Sequence, residues 1–431
     1  MSTYYTVHGG GKLHGEVRVQ GSKNAILPLL SCAILTGGEN VFHACPQISD
    51  VTASTDILRF LGGTCRREGE RLFVDTSRLC YRDIPPEMAG RMRSSSVFLG
   101  SLLARFKTAI VPNPGGDNLG RRPILWHIEG LKKLGVAFRE TEAGLCAYAE
   151  NLHGADIRLP FPSVGATEVL MQAACGADGT VRIENAAREP EVVCVQEFLN
   201  RGGASIRGAG TDTITVEPCR ALHGVEYEVI PDRIVAATYL AAVAACGGDV
   251  HLLGAKKEHL EAILQAYGTA ECCHFEETAS GLYFERNGSL TIPTHIRTGP
   301  YPAFPTDAQP LFMASTLQCS GTVGFYETMF ENRFAAVSEF RKFGAKIDVF
   351  AGVPVLSEDS RHREAPPRAV VTGVPRLSGA DVTCPDLRAG AAEVVAALSA
   401  EGESRIFDVH HIERGYQDIV GDLASLGADI A

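Results

Sequence analysis

Basic and hydroxyl side chains fall at several points where the residue pattern predicts the start of a helix. In the segment GSKNAIL, residues 21–27, Ser22 is a favoured N-cap, which would place Lys23 and Asn24 in the first helical turn. Free backbone N–H groups and the positive end of the helix dipole favour an anion at that place, and a lysine there is normally unfavourable. Lys23 therefore indicates either a bound anion beside its ammonium group or a surface side chain in water.

Six further segments place arginine, serine or aspartate at a predicted helix start. They are Arg91–Ser96, Phe161–Thr167, Ala303–Gln309, Phe330–Phe334, Pro385–Ala389 and His410–Tyr416. Small residues and exposed N–H groups in the second of them could cradle a phosphate. Asp307, in the third, is either a group for proton transfer or an N-terminal cap. The last three set an arginine beside a carboxylate, a pattern that fits an anion site and equally fits surface ion pairs.

A loop rich in glycine and proline, Pro112–Pro123, contains a single carboxylate. It has three Gly and three Pro in twelve residues and places Asp117 near Arg121 and Arg122. Such a loop, with an acid near its middle, is typical of a lid that closes over a substrate. An ordinary long connection is the alternative.

Composition limits the classes of partner. The chain has 40 Lys+Arg against 51 Asp+Glu, a net charge of −11, which argues against nucleic acid or an anionic membrane surface. The apolar run 25–35 is too short to span a bilayer, and the first residues lack the pattern of a signal peptide. The 13 cysteines show no zinc-site spacing. We therefore expect a cytoplasmic protein without metal, cofactor or obligate protein partner.

A helix end followed by Gly and a strand-like run recurs along the chain. The glycines stand at 62, 135, 202, 268, 344 and 427, with gaps of 73, 67, 66, 76 and 83 residues. Each is predicted to be a left-handed residue just after a helix. Six such units would make two pseudo-symmetric domains of three units, unless the recurrence is coincidence. A predicted strand, Val225–Ile230, followed by a helix start at 231–233 places the division near 230–231.

These features together predict a two-lobed α/β protein. Several predicted helix starts bring Lys or Arg toward a cleft for a polyanion. Asp117 and Asp307 are available there for proton transfer.

Ten short motifs occur in the order found in one family. They are GSKNA at 21–25, MRSS at 92–95, PGGxxxGxRP at 114–123, SVGAT at 163–167, ENAAREPE at 184–191, PDR at 231–233, AFPTD at 303–307, FENRF at 330–334, DLRA at 386–389 and HIERGY at 411–416. Over nearly its whole length the chain resembles the UDP-N-acetylglucosamine enolpyruvyltransferases, or 1-carboxyvinyltransferases. The related shikimate 3-phosphate transferases share the fold but not this set of motifs.

The resemblance implies a fold of the α/β (α+β) class, a two-domain inverse α/β barrel. Each domain holds three β-α-β-α-β-β repeats, which agrees with the six glycine-ended units. The first domain would be residues 22–230, with the Asp117 loop. The second would be residues 1–21 plus 231–431, because the N-terminal strand belongs to the second domain in the family.

The reaction implied is transfer of the enolpyruvyl group of phosphoenolpyruvate to the 3′-hydroxyl of UDP-N-acetylglucosamine, with release of phosphate. It is the first committed step of peptidoglycan synthesis. It proceeds by addition and elimination, which requires an acid for the methylene carbon, a base for the hydroxyl and cations for phosphate and carboxylate.

Matching motif positions gives each site residue a role. The residues implied in catalysis are Asp117, Asp307 (the base), Lys23 and Arg414. Those implied for phosphoenolpyruvate are Lys23, Asn24, Arg122 and Arg414, with Arg333 and Arg388 near its carboxylate. Those implied for the UDP-sugar are Asn24, Arg93, Arg122, Pro123, Leu125, Trp126, Ser163, Val164, Gly165, Asp307 and the backbone near Met329.

The sequence departs from the family pattern at three positions. Many members have Cys where this chain has Asp117, although a buried carboxylic acid can also supply a proton. Leu125 replaces an Asp that contacts uracil, and Phe161 replaces a Lys that helps to hold the diphosphate.

Three hypotheses follow. The first is an enzyme acting on UDP-N-acetylglucosamine, and the second is an enolpyruvyltransferase for another nucleotide or sugar. The third is a non-catalytic paralogue that binds ligand, although a protein of that kind would not need the arginines of a pyruvyl site.

Overall fold

The structure is a computed structural model that describes residues 4–90, 95–111, 124–141, 144–293, 295–354 and 363–431. These residues form two compact units. We call residues 21–111 plus 124–230 the N-unit, and residues 4–20 plus 231–431 the C-unit. The chain passes from the C-unit to the N-unit after Gln20 and returns at Pro231.

Thirteen α-helices lie within the described residues. They are α1 Lys23–Thr36, α2 Ser49–Phe60, α3 Pro86–Gly90, α4 Phe98–Phe106, α5 Leu125–Lys133, α6 Val164–Ala174, α7 Pro190–Arg201, α8 Arg233–Cys246, α9 Lys257–Gly268, α10 Gln309–Ser315, α11 Val337–Lys342, α12 Leu387–Ser399 and α13 Ile419–Ser425. Short 3₁₀ helices precede four of them, at Ser95–Val97, Thr306–Ala308, Arg333–Ala336 and Val409–Arg414.

The N-unit contains three sheets. Its strands are β3 Glu39–His43, β4 Thr64–Glu68, β5 Arg71–Asp75, β6 Thr108–Val111, β7 Ala137–Thr141, β8 Gly144–Tyr148, β9 Ala155–Arg158, β10 Val181–Glu184, β11 Ile206–Arg207, β12 Thr213–Val216 and β13 Glu226–Glu228. The strand orders are β13-β3-β5-β4, β6-β8-β7 and β9-β10-β12-β11.

The C-unit has three sheets and one additional hairpin. Its strands are β1 Tyr4–Gly9, β2 Leu13–Arg18, β14 Gly248–Leu253, β15 Cys273–Thr278, β16 Gly281–Arg286, β17 Ile296–Arg297, β18 Thr322–Tyr326, β19 Lys346–Phe350, β20 Val353–Pro354, β21 Arg363–Ala365, β22 Arg368–Thr372, β23 Asp381–Thr383, β24 Gly402–Phe407 and β25 Asp429–Ile430. The orders are β2-β14-β16-β15, β17-β18-β22-β19 and β23-β24-β1-β25, with β20-β21 as the hairpin.

One connectivity recurs in these sheets. A strand, a buried helix and a parallel second strand are followed by a more exposed helix and two antiparallel strands. In the third N-unit sheet, β9 pairs in parallel with β10 through Ala155↔Val181, and β12 pairs antiparallel with β10 through Val216↔Val181. Three sheets show this order along the chain. In β13-β3-β5-β4 the parallel strand β13 comes from the end of the N-unit, and in β23-β24-β1-β25 one antiparallel strand is the N-terminal β1. The described residues of β6-β8-β7 show the antiparallel part of the pattern. The N-unit is inserted between β2 and α8, within the first C-unit repeat.

Three buried helices form the centre of each unit: α1, α4 and α6 in the N-unit, and α8, α10 and α12 in the C-unit. In the N-unit, Ser31 Oγ lies 3.1 Å from Ser101 Oγ and 3.0 Å from Gln172 Oε1. Ser31 and Gln172 are each the ninth residue of their helix. The three buried helices therefore meet at this polar contact inside the N-unit.

The glycine prediction is confirmed at four positions and wrong at two. Gly62, Gly135, Gly344 and Gly427 have positive φ values of 91–100°. Gly202 does not, because its neighbour Gly203 takes the left-handed conformation. Gly268 is the last residue of α9, which ends at a Thr269 cap. Each helix end needs only one left-handed residue, and either of two adjacent glycines can supply it.

Within the described residues, no helix is both long and apolar enough to cross a membrane.

Candidate active site

Serine side chains cap two buried helices of the N-unit. Ser22 accepts a hydrogen bond from the Ala25 amide at the start of α1, and Ser163 accepts one from Ala166 at the start of α6. The predicted Ser22 cap is confirmed, whereas the Ser163 cap was not identified from the sequence. Lys23 and Asn24 are consequently the first two residues of α1, and Val164 and Gly165 are the first two of α6.

Lys23 is buried and bonded to a carboxylate. Its side chain is 9% exposed, and its Nζ lies 2.7 Å from Asp50 Oδ2, whose side chain is 3% exposed. The alternative of a surface lysine is therefore wrong. Asp50 was not identified from the sequence, although it is an acid in the first turn of α2 and helices favour acids there.

In the C-unit, Asp307 lies between two buried arginines. Arg333 Nη2 is 2.9 Å from its Oδ1, and Arg388 Nε is 3.3 Å from its Oδ2. The arginine side chains are 1% and 5% exposed, whereas the Asp307 side chain is 27% exposed. Pro305, and not Asp307, is the N-cap residue of the 3₁₀ helix that contains Asp307, and these arginines are not surface ion pairs.

Both arginines retain donor capacity. Among the described residues, Arg333 Nη1 and Arg388 Nη1 are buried without a hydrogen-bond partner. A buried donor without a partner costs free energy, more so when it is charged. The pair therefore has the properties of a site for an anionic group such as a carboxylate.

A buried glutamate supports the Arg333 side of this site. Glu327 accepts hydrogen bonds from the Thr306 hydroxyl at 3.1 Å and from the Met329 amide at 2.7 Å. Arg333 Nε donates to the same hydroxyl at 3.1 Å. Burial raises the pKa of Glu327, and Arg333 and these donors oppose the rise. Glu327 was not identified from the sequence, and the Met329 N–H is engaged within the protein.

Arg388 also contacts the segment that contains Arg414. Tyr416 is buried, and its hydroxyl lies close enough to Arg388 to affect the pKa of the guanidinium. Burial lowers the pKa of Arg388, but Asp307, Tyr416 and Asp232 outweigh it, so the pKa is raised and the guanidinium stays charged. Asp232 caps α8 and Asp386 caps α12. The starts of α8, α10 and α12 therefore meet near Arg388.

Four predicted site residues lie outside the described residues: Arg93, Asp117, Arg122 and Pro123. The other predicted site residues lie at the starts of α1 and α6 in the N-unit or in the C-unit segments described above. Leu125 and Trp126, at the start of α5, are the exceptions.

The comparisons with known proteins agree on a family. Residues 7–423 match the family model of EPSP synthase (3-phosphoshikimate 1-carboxyvinyltransferase). UDP-N-acetylglucosamine 1-carboxyvinyltransferase 1 of Symbiobacterium thermophilum is 42% identical over 99% of this chain and 94% of that protein. The enzyme of the same name from Staphylococcus aureus is 40% identical over 98% of each chain.

The chain belongs to the EPSP synthase family. Solved structures agree in fold. The enolpyruvyl transferase NikO from Streptomyces tendae gives a TM-score of 0.84 at 23% identity, covering 99% of this chain and 98% of that one. EPSP synthase from Acinetobacter baumannii gives 0.71 at 16% identity, covering 99% of each. The predicted fold class is confirmed.

Apolar side chains occupy the two positions at which this chain departs from the family pattern near the starts of α5 and α6. Trp126, the second residue of α5, stacks on Phe161 with ring centroids 5.5 Å apart, and Leu125 is 54% exposed. His127 packs against the start of α6, where a Cβ added at Gly165 would lie 3.1 Å from its Nε2. The two departures from the family pattern therefore lie in the same part of the N-unit, because Leu125 is next in sequence to a buried tryptophan that stacks on Phe161.

Three acidic residues are buried near the start of α7. Glu168, Glu189 and Glu191 are at most 9% exposed. Burial, then Glu191 and Glu189, raise the pKa of Glu168 well above its usual value. In the described part of the chain, Glu168 Oε1 has no hydrogen-bond partner. The surroundings of Glu168 thus favour its neutral form over the carboxylate.

We expect Glu168→Gln to reduce the fall in stability as the pH rises. The folded wild type binds a proton that the unfolded chain releases above about pH 4.3, so its stability falls between that pH and the raised pKa. Each tenfold difference in proton affinity corresponds to about 1.4 kcal/mol. Melting temperatures from pH 5 to 8 test this, with the exposed Glu150→Gln as control. Parallel curves for Glu168→Gln and wild type would contradict it.

Proposed function

We propose that the protein transfers the enolpyruvyl group of phosphoenolpyruvate to the 3′-hydroxyl of UDP-N-acetylglucosamine and releases phosphate. Relatives with about 40% identity over nearly the whole chain bear the name of this activity. The observation that supports it most directly is the buried pair Arg333 and Arg388 around Asp307, because two guanidinium groups with unused donors suit a substrate carboxylate.

The proposed roles are those that the family resemblance implies at the matched motif positions. Lys23, with Arg122 and Arg414, binds the phosphate end of phosphoenolpyruvate, and Arg333 and Arg388 bind its carboxylate. A substrate carboxylate that takes up arginine donors draws them away from Asp307. Asp307 then becomes a stronger base for the sugar hydroxyl.

The remaining roles and the domain assignment stay as the sequence predicts. Asp117 protonates the methylene carbon. The N-unit and the C-unit are the two enolpyruvyltransferase domains. The starts of α1 and α6 contact the sugar nucleotide, because their motifs match those that have this role in the family.

A different acceptor is the second candidate function. Phe161, on which the buried Trp126 stacks, and the exposed Leu125 are apolar side chains where the family pattern has a Lys for the diphosphate and an Asp for uracil. A surface of this kind favours stacking and gives little support to a diphosphate charge. It suits an acceptor with a different base or fewer phosphates.

Phosphate release from phosphoenolpyruvate, measured over a panel of UDP-sugars and other nucleotides, tests both functions. We expect release with UDP-N-acetylglucosamine. Release only with another acceptor would favour the second function. A protein that binds ligand but releases no phosphate with any acceptor would be a non-catalytic paralogue.

We expect Lys23→Ala to raise the KM for phosphoenolpyruvate roughly 10- to 150-fold, equivalent to the 1.5–3 kcal/mol of a charge-assisted hydrogen bond. Loss of the ammonium group beside the buried Asp50 should also destabilise the fold, by about 3–5 kcal/mol.

The double variant Lys23→Met/Asp50→Asn separates these effects, because it removes both buried charges. It should regain much of the melting temperature while the KM stays high. An unaltered KM for phosphoenolpyruvate in Lys23→Ala would show that Lys23 does not bind this substrate.

A further inference from the structure

The segment 415–417 of the C-unit is held by one side chain from a distant part of the sequence. Gln20 Nε2 donates to the Gly415 carbonyl at 3.0 Å, and Gln20 Oε1 accepts from the Gln417 amide at 2.7 Å. The side-chain amide thus bonds the backbone on both sides of Tyr416, as a neighbouring strand would. Gln20 is neutral, so it acts on this segment by position and not by charge.

Tyr416 transmits that position to an arginine of the proposed site. Its hydroxyl oxygen lies 2.7 Å from Thr238 Oγ1, and the Thr238 hydroxyl donates to the Ile234 carbonyl at 2.9 Å. The Tyr416 hydroxyl is therefore held beside Thr238 on α8, and it lies close enough to Arg388 to help raise the pKa of the guanidinium. A shift of Tyr416 would change the surroundings of Arg388, whose Nε is 3.3 Å from Asp307 Oδ2.

Gln20 is tied to the same helix through its backbone. Its carbonyl accepts from the Asp232 amide at 2.8 Å, and Asp232 caps α8, the helix that contains Thr238. Gln20 therefore fixes both the start of α8 and the segment opposite it. Arg414 immediately precedes Gly415, so the same clamp also restricts Arg414.

We propose that Gln20 is a positioning residue for phosphoenolpyruvate, which acts by holding Gly415–Gln417 so that Tyr416 and Arg414 stay in place and Tyr416 orients Arg388. The inference rests on the proposed function, in which Arg388 and Arg414 bind that substrate. It assigns the residue at the exit from the C-unit a role in substrate affinity, without contact between Gln20 and the substrate.

The test is a double-mutant cycle of Gln20→Leu and Tyr416→Phe. Gln20→Leu removes two neutral hydrogen bonds, and we expect it to raise the KM for phosphoenolpyruvate roughly 5- to 20-fold. The turnover number and the KM for the nucleotide-sugar should stay within about twofold, since neither bond involves them. Because Gln20 acts through Tyr416, the double variant should show far less than the product of the two single effects.

Control variants keep the test decisive. Gln265→Leu removes an exposed amide that bonds only Glu261 on its own helix α9, and it should match wild type. If Gln20→Leu does not fold, Gln20→Glu replaces it, since it keeps the acceptor for Gln417 and loses the donor for Gly415. Stabilisation against heat by phosphoenolpyruvate gives a second readout that does not require turnover.

The outcomes separate this inference from the proposed function. Unchanged phosphoenolpyruvate KM and stabilisation in Gln20→Leu, beside an active wild type, would overturn the inference alone. Equal increases in the KM for both substrates would also overturn the inference. So would a double variant whose effect on the KM is the product of the two single effects. If the wild type shows neither phosphate release nor stabilisation by phosphoenolpyruvate, both the inference about Gln20 and the proposed function are wrong.

Discussion

Asp307→Asn should lower the turnover number roughly 10²- to 10⁴-fold, the usual contribution of a general base. Asparagine keeps the shape of the side chain but cannot accept the proton of the sugar hydroxyl. Binding of phosphoenolpyruvate should be as tight as in wild type or tighter, because a negative charge is removed beside Arg333 and Arg388. Steady-state kinetics and heat stabilisation by phosphoenolpyruvate measure the two effects separately.

Asp381→Asn is the matched control for this variant. Asp381 also pairs with an arginine, since Arg405 Nε and Nη2 lie 2.9 and 2.6 Å from its carboxylate, but its side chain is 52% exposed. An exposed pair contributes about 0–1 kcal/mol. The control should therefore be close to wild type in both rate and stability. Near-normal turnover in Asp307→Asn would show that Asp307 is not the base.

The Ser22 cap and the repeat could be predicted because they depend on short segments. Ser22 is a cap by residue type and position, and the structure confirms it. The spacing of the glycines reflects repeated helix ends, even though Gly203, and not Gly202, has the left-handed backbone. Local backbone requirements of this kind are visible in a few neighbouring residues.

The partners of the charged groups could not be predicted, because they depend on tertiary contacts between distant segments. Lys23 and Asp50 are 27 positions apart, and Arg388 Nε and Asp307 are 81 positions apart. Glu327 has no marker in the sequence, because its role arises only when Thr306 and Arg333 are brought beside it. A basic residue at a helix start therefore predicted an anion nearby but did not identify Asp50 as that anion.

Two departures from the family pattern, Leu125 and Phe161, are related in the structure in a way that the sequence does not show. Leu125 and Phe161 were separate substitutions in the sequence, 36 positions apart. In the structure, Trp126, which follows Leu125 in the sequence, stacks on Phe161 and so places the two departures in the same part of the N-unit. A paired change of this kind affects acceptor recognition more than a change at one position, so the acceptor panel is the experiment that follows from it.

Fosfomycin should fail to inactivate this protein covalently. The resemblance implies that family members with Cys in the loop are inactivated because a thiolate opens the epoxide of the drug. A thiolate is a strong nucleophile whose pKa can be lowered into the working range. This chain has Asp117 at that position, and none of its 13 cysteines falls in Pro112–Pro123. A carboxylate is a far weaker nucleophile, and a protonated carboxylic acid is weaker still.

Asp117→Cys should restore the reaction, because it supplies the missing nucleophile at the same place. We expect time-dependent loss of phosphate release and a mass increase of one drug molecule in the intact protein, neither of which should occur in wild type. Asp117→Ser is the matched control, since a hydroxyl of similar size to the thiol is not ionised near neutral pH. A stable adduct on the wild-type protein, mapped to any residue of 112–123, would refute this assignment of Asp117.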